Sequence, residues 1–215
     1  VREAMGYEQI NIMGVSYGTR AAQVYLKKYP ESVRTVVLDS VVPMQLALGQ
    51  EIAPMLDAAL ALVFSDCYSN QECNERFGDS LNQLNALAAE LREEARWVTI
   101  SDPITGEDRE IRMSAETLAV AVRLLSYASE TQAMLPILID EAIALGSLDR
   151  LAAQAIMVMN GFSDMLALGM ELSVSCSEDY PFIDTDADHS DTLLGNIFLE
   201  SRATQCDLWP RGEIA

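Results

Sequence analysis

Near its start the chain places apolar residues in short clusters divided by glycine and proline, and beyond Pro43 they recur at helical spacing almost to the end. The opening residues read as the end of a helix closing at Gly6, followed by Gln9-Ile10-Asn11-Ile12-Met13 as a short strand that runs into a turn at Gly14. From Tyr17 to Lys28 the apolar positions Ala21, Val24, Tyr25 and Leu26 fall near the period of a helix, and Tyr29-Pro30 stops it. Val33-Arg34-Thr35-Val36-Val37-Leu38-Asp39 is a β-branched run with the length and character of a buried parallel strand. Strand, helix and strand in this order predict a βαβ unit.

After Pro43 the text turns rich in Ala, Leu and Met, and the spacing predicts helices near Leu46 to Ser65, Ser80 to Ala95, Ser114 to Ser126, Thr131 to Leu145, Leu148 to Leu172 and Thr192 to Ala203. One hairpin interrupts them: Trp97-Val98-Thr99-Ile100 and Glu110-Ile111-Arg112-Met113 flank the turn residues Asp102-Pro103-Ile104-Thr105-Gly106. No internal repeat or low-complexity tract is visible. The expected organisation is a partial sheet over residues 1–43, a mainly helical region over 44–203, and the start of a return toward the sheet over 204–215.

Composition narrows the class. At 215 residues, half of them hydrophobic, the chain has enough apolar mass for a full core. Its formal net charge of -19 argues against nucleic acid or an anionic membrane as partner, since a polyanion would be repelled over much of the surface. No apolar stretch reads as long and charge-free enough to span a bilayer, and Val1-Arg2-Glu3-Ala4 does not read as a signal peptide, so a mature or trimmed chain is expected. The four cysteines lack a close Cys-x-x-Cys pair and share the chain with a single histidine, His189, which fits zinc poorly and disulfides better. Two disulfides would place the protein in a periplasm or outside the cell; four free thiols in a cytosolic enzyme is the other reading.

Gly14-Val15-Ser16-Tyr17-Gly18 matches G-x-S-x-G between a predicted strand and a predicted helix, where nucleophile chemistry needs it. A serine on so sharp a turn adopts a strained backbone that small neighbours tolerate, which accounts for glycine on both sides and lifts its hydroxyl above the sheet. The helix N-terminus behind it favours developing negative charge, and the Tyr17 backbone N–H can serve as one oxyanion donor.

Together with Gly14-Val15-Ser16-Tyr17-Gly18-Thr19-Arg20, the segments Tyr29-Pro30-Glu31-Ser32-Val33-Arg34 and Val37-Leu38-Asp39-Ser40-Val41-Val42-Pro43 resemble bacterial α/β-hydrolases of the prolyl iminopeptidase and tripeptidyl aminopeptidase group. The resemblance implies an α/β fold: part of the hydrolase sheet around the elbow, with a large helical cap inserted after Val42-Pro43. A cysteine-containing loop, Cys67-Tyr68-Ser69-Asn70-Gln71-Glu72-Cys73, lies in that cap, and Cys206-Asp207-Leu208-Trp209-Pro210 is similar to the family's return to the sheet. The group consists of serine exopeptidases, some secreted, that remove residues from peptide N-termini. Of the three pairings four cysteines allow, Cys67 with Cys73 and Cys176 with Cys206 is preferred, closing a short loop between cap helices and pinning the end of the cap to the returning segment.

The family pattern also implies first strands and a His-Gly-Gly-type loop upstream, and a triad aspartate and histidine downstream, none of which this chain contains. A partner in the form of the remaining hydrolase fold is therefore expected, with no cofactor. His189 lies in the polar loop Asp184-Thr185-Asp186-Ala187-Asp188-His189-Ser190-Asp191, and a solvated loop histidine is the more ordinary reading than a catalytic base. That loop copies the opening of a calcium site and then departs from it, with His189 where glycine is needed and Gly195 where a bidentate glutamate is needed, so no metal is expected.

Met157, Met159, Met165 and Met170 fit either core packing or an adaptable pocket. Glu178 and Asp179, just after Cys176, are candidates for binding a peptide's α-ammonium, against the commoner fate of solvated carboxylates. The leading functional expectation is a serine hydrolase releasing residues from peptide N-termini through an acyl-enzyme at Ser16. An esterase or acyltransferase of the same fold, and a non-catalytic helical fragment, are the alternatives; a peptide or small acyl compound is the expected substrate.

Overall fold

A computed structural model of the chain describes residues 1–212. The chain divides into two compact units, Val1–Ala47 and Leu48–Ala215.

The first unit is the expected βαβ. A short 3₁₀ turn at Glu3–Met5 closes on Gly6 in the left-handed region, and the Arg2 guanidinium donates to the carbonyls of Tyr7 and Glu8 at 2.9 and 2.8 Å, setting the entry to the sheet. Strand β1 (Ile10–Val15) pairs in parallel with β2 (Val33–Asp39), with Asn11 opposite Thr35 and Val15 opposite Asp39. Helix α1 (Gly18–Lys28) makes the crossover. Its buried positions are Thr19, Arg20 and Ala22, whereas Ala21 and Leu26 are exposed, so the inward face is one residue out of step with the sequence reading. Polar side chains at 19 and 20 hide this from a hydrophobicity count, because they are buried for hydrogen bonding rather than for their apolar surface.

Within this chain β2 is only partly covered. Val33, Val36 and Leu38 are half-buried, and Val37 remains 54% exposed; on β1, Met13 and Val15 are 70% and 52% exposed. A two-stranded parallel sheet has two open edges, and a single helix cannot cover both of its faces.

The second unit is mainly helical: α2 (Ile52–Ser69), α3 (Gln71–Phe77), α4 (Ser80–Glu93), α5 (Ala115–Leu125), α6 (Ser129–Gln132), α7 (Leu135–Ala144), α8 (Asp149–Met165), α9 (Leu168–Glu178) and α10 (Ile197–Leu208). Between α4 and α5 the antiparallel hairpin of β3 (Arg96–Ser101) and β4 (Asp108–Met113) appears where the turn residues predict it. Its turn is built by Asp102, whose Oδ1 accepts the N–H groups of Ile104 and Thr105 at 2.8 and 3.1 Å. Those amides, with the nearby Arg109 guanidinium, hold the Asp102 carboxyl below the usual carboxylate range. The main core joins Leu60 of α2, Leu84 and Leu91 of α4, Leu118, Val122 and Leu125 of α5, Leu135 and Ile139 of α7 and Leu151 of α8. All of these are essentially fully buried.

Helix α2 is 18 residues long with mean hydropathy 1.3, so by length and composition it does reach the measure of a membrane-crossing helix, contrary to the sequence expectation. Asp57 and Asp66 interrupt the run without lowering its mean enough. The helix packs Ala53, Leu56, Leu60 and Phe64 into the core of this unit. The predicted single helix over Leu148 to Leu172 is two, α8 and α9, bent by 78°. Beyond the bend α9 packs on α10 around a second small core of Leu172, Cys176 and Cys206, with Tyr180 and Trp209 against it. Disulfides join Cys67 to Cys73 and Cys176 to Cys206. Residues 204–208, expected to lead back toward the sheet, form the last turns of α10 within the second unit.

Candidate active site

Ser16 sits between the end of β1 and the start of α1 with φ +53°, in the left-handed region that non-glycine residues seldom occupy. Both of its backbone groups are tied down. The Ser16 N–H donates to the Asp39 carbonyl at the end of β2 at 3.0 Å. Its carbonyl accepts the Thr19 N–H at 2.9 Å and the Thr19 Oγ1–H at 2.6 Å. Two bonds to the helix and one to the neighbouring strand offset the local strain, while Ser16 itself is exposed. Tyr17 is the N-cap of α1, and its carbonyl accepts the Arg20 N–H at 2.9 Å. The N-terminus of an eleven-residue helix therefore lies directly behind the serine, where it favours negative charge.

The two glycines of the motif are not equivalent. A Cβ on Gly14 would fall 2.7 Å from the Gly18 carbonyl carbon and 2.9 Å from the Thr19 amide nitrogen, so the close approach of strand end and helix start requires glycine there. A Cβ on Gly18 meets no described atom within 4 Å. The sequence reading that small neighbours are needed on both sides holds sterically for Gly14 alone among the described residues.

Behind the elbow, α1 grips the segment that leaves β2. Thr19 Oγ1 accepts the Val42 N–H at 2.9 Å, Gln23 Nε2 donates to the Val42 carbonyl at 3.0 Å, and the Arg20 guanidinium donates to the carbonyls of Pro43 and Leu46. Thr19 and Arg20 are buried by these contacts. Sequence reasoning passed over all three residues; the one available signal was a polar triad on the helix face next to the elbow.

The other candidates lie in the second unit. Glu178 ends α9 and is exposed. Asp179 is 1% exposed, and its Oδ1 accepts the Leu48 N–H at 2.8 Å, holding the chain ahead of α2. That bond, the left-handed Gly49 and the capture of the Leu46 carbonyl explain why α2 begins at Ile52 rather than at Leu46. His189 is half-buried rather than a solvated loop residue: its Nε2 lies 3.0 Å from the Gln50 carbonyl and its backbone N–H donates to Asn196 Oδ1 at 2.7 Å.

Around it, the Arg92 guanidinium donates to the carbonyls of Thr192 and Leu193, and Asp57 accepts the Leu193 N–H at 3.2 Å. Burial pushes the Asp57 carboxyl up, aided by Asp191, against the pull of that amide and of Arg92. Asp184 and Asp188 accept the N–H groups of Asp186 and Ser190 at 3.0 and 2.9 Å, which closes the acidic loop on itself. Met165 and Met170 flank the α8–α9 bend and are exposed, with Met157 half-exposed on α8.

A serine at positive φ, set between a parallel strand and the helix that follows it, is the local geometry of the α/β-hydrolase class. Residues 1–118 match the alpha/beta hydrolase fold, and the chain belongs to that family. Over 134 residues it is 28% identical to the serine protease Hip1 of Mycobacterium tuberculosis, covering 59% of this chain and 23% of that protein. It is 48% identical over 42 residues to the tripeptidyl aminopeptidase of Streptomyces lividans and 40% identical over 42 residues to the putative hydrolase YuaR of Escherichia coli, each match covering 20% of this chain and 8% of the relative. The chain thus spans less than a quarter of the length of these relatives.

Proposed function

We propose that this chain carries the nucleophile of a serine hydrolase that releases residues from peptide N-termini through an acyl-enzyme on Ser16. The observation that carries the reading is the exposed Ser16 at φ +53°, its backbone pinned on both sides at the N-terminus of α1. In that role the Ser16 hydroxyl attacks the scissile carbonyl, its proton passes to a histidine, and the tetrahedral oxyanion is met by the Tyr17 N–H and a second donor. The histidine, its acid and the second donor belong to the remainder of the hydrolase fold, which pairs with the open edges of β1 and β2. The exposed Met13, Val15 and Val37 support that reading, as does the small share of each relative that the chain spans. By itself the 215-residue chain turns over little or no substrate.

In this reading the second unit is the helical cap domain of the hydrolase. Of the two proposed ammonium anchors, Glu178 is exposed and Asp179 is buried with the Leu48 N–H on its carboxylate, so the test begins with Glu178. Exopeptidase specificity is supported by the name of one relative, a tripeptidyl aminopeptidase, and serine chemistry by that of another, a serine protease. Two disulfides favour an oxidising location, periplasmic or extracellular.

The test is a pair of p-nitroanilides offered to the complete enzyme, one aminoacyl and one N-acetyl-aminoacyl. The free amine should be preferred, and Glu178→Gln should lower kcat/KM about 30-fold or more for that substrate while sparing the acetylated one. Equal cleavage of both substrates by the unaltered enzyme would overturn the aminopeptidase reading in favour of an esterase or acyltransferase.

A further inference from the structure

The hydroxyl of Thr19 occupies a position that helix formation does not require. It is fully buried, three residues past Ser16 and in the first turn of α1, and both of its hydrogen-bonding capacities are committed. As a donor it binds the Ser16 carbonyl at 2.6 Å; as an acceptor it binds the Val42 N–H at 2.9 Å. One oxygen therefore links the strained residue of the elbow to the segment that leaves β2.

That segment is itself strained. Ser40, the residue after the Asp39 carbonyl that takes the Ser16 N–H, has φ +54°, and Ser16 and Ser40 are the two non-glycine residues with positive φ among those described. The two left-handed residues thus face each other across the ends of β1 and β2. The segment around Ser40 holds Ser16 at both of its backbone groups: the Asp39 carbonyl takes the Ser16 amide, and Val42, through Thr19, is tied to the Ser16 carbonyl.

We propose that Thr19 is a positioning residue for the proposed nucleophile, fixing the Ser16 peptide through its hydroxyl and making that geometry depend on the path of residues 40–42. The inference rests on the reading of Ser16 as nucleophile. Without the hydroxyl the Ser16 carbonyl keeps only the Thr19 amide, and the Val42 N–H loses its partner. Relaxation of Ser16 out of the left-handed region would swing its Oγ away from attack geometry, and displacement of a reacting atom by about 1 Å can cost about 100-fold in rate. Neither substrate contacts nor the identity of the nucleophile change, so the loss falls on kcat and leaves KM in place.

The experiment compares Thr19→Val, of nearly the same shape without the hydroxyl, with Thr19→Ser, which keeps it, in the complete enzyme. Active-site titration with a fluorophosphonate counts folded sites, so that partial unfolding drops out of the rate per site. The expected result is a fall in kcat per titrated site and in phosphonylation rate of about 10- to 100-fold for Thr19→Val, with KM within about twofold and with Thr19→Ser restoring most of the rate. Should Thr19→Val fail to accumulate, Thr19→Cys replaces it, because a thiol is a weak donor and should show the same loss. A rate per site within about twofold of the unaltered enzyme for the hydroxyl-lacking variant that accumulates overturns the proposal. A probe that still labels Ser16→Ala overturns the nucleophile reading instead, and the two failures are thereby separate.

Discussion

Gly14 and Gly18 flank the same serine, yet only one of them is sterically committed. A methyl group at 14 would press on the backbone of Gly18 and Thr19, which cannot yield without moving the start of α1, whereas a methyl group at 18 projects into open space within this chain. Gly14→Ala should therefore cost about 1–3 kcal/mol of stability and slow any reaction at Ser16, and Gly18→Ala should cost less on both counts. Urea unfolding and labelling rates on the two variants decide it; equal losses would mean that the elbow is not held by this contact. At this scale the sequence showed the motif because its residues are contiguous and each obeys a local rule. The Thr19 to Val42 bond was illegible, since its partners are far apart in the chain and nothing about threonine in a first helical turn announces a distant amide.

Elements were legible where a single local signal decides them. The β3–β4 hairpin follows from Asp102 and Gly106, and α5 from Ser114, whose side chain accepts the Thr117 N–H as an N-cap. They were misjudged where a long-range contact overrides periodicity. Helix α10 starts at Ile197 because residues 189–195 are spent on turns, with Thr192 Oγ1 donating to the His189 carbonyl and accepting the Gly195 N–H. Helix α3 begins inside the expected Cys67–Cys73 loop, in a stretch where the spacing predicts no helix, and Asn70 caps it by accepting the Cys73 N–H at 3.0 Å.

The bend before α9 has its reason in the Cys176–Cys206 bridge and in Trp209, whose Nε1–H donates to Ser173 Oγ at 3.0 Å. Because that bridge joins residues 30 apart, replacing both cysteines by alanine should cost about 3–4 kcal/mol, against about 2 kcal/mol for the bridge between Cys67 and Cys73, separated by 6. Chemical denaturation of the two double variants gives the comparison. A larger loss from the Cys67–Cys73 pair would show that chain entropy is not what these bridges contribute.

For the molecule as a whole, two observations set the frame: a helical unit with a well-buried core of its own, and a βαβ unit whose strands expose Met13, Val15 and Val37. The family could be read from residues 14–43 because the elbow gathers its constraints into one short stretch. The full catalytic constellation could not, because a triad in this fold draws on chain segments far apart in sequence. The most direct test of the central claim is therefore made on the complete enzyme with a fluorophosphonate probe, followed by digestion and mapping of the labelled peptide. The adduct is expected on Ser16, with labelling and turnover both lost in Ser16→Ala; an adduct on another residue, or turnover that survives the substitution, would contradict it.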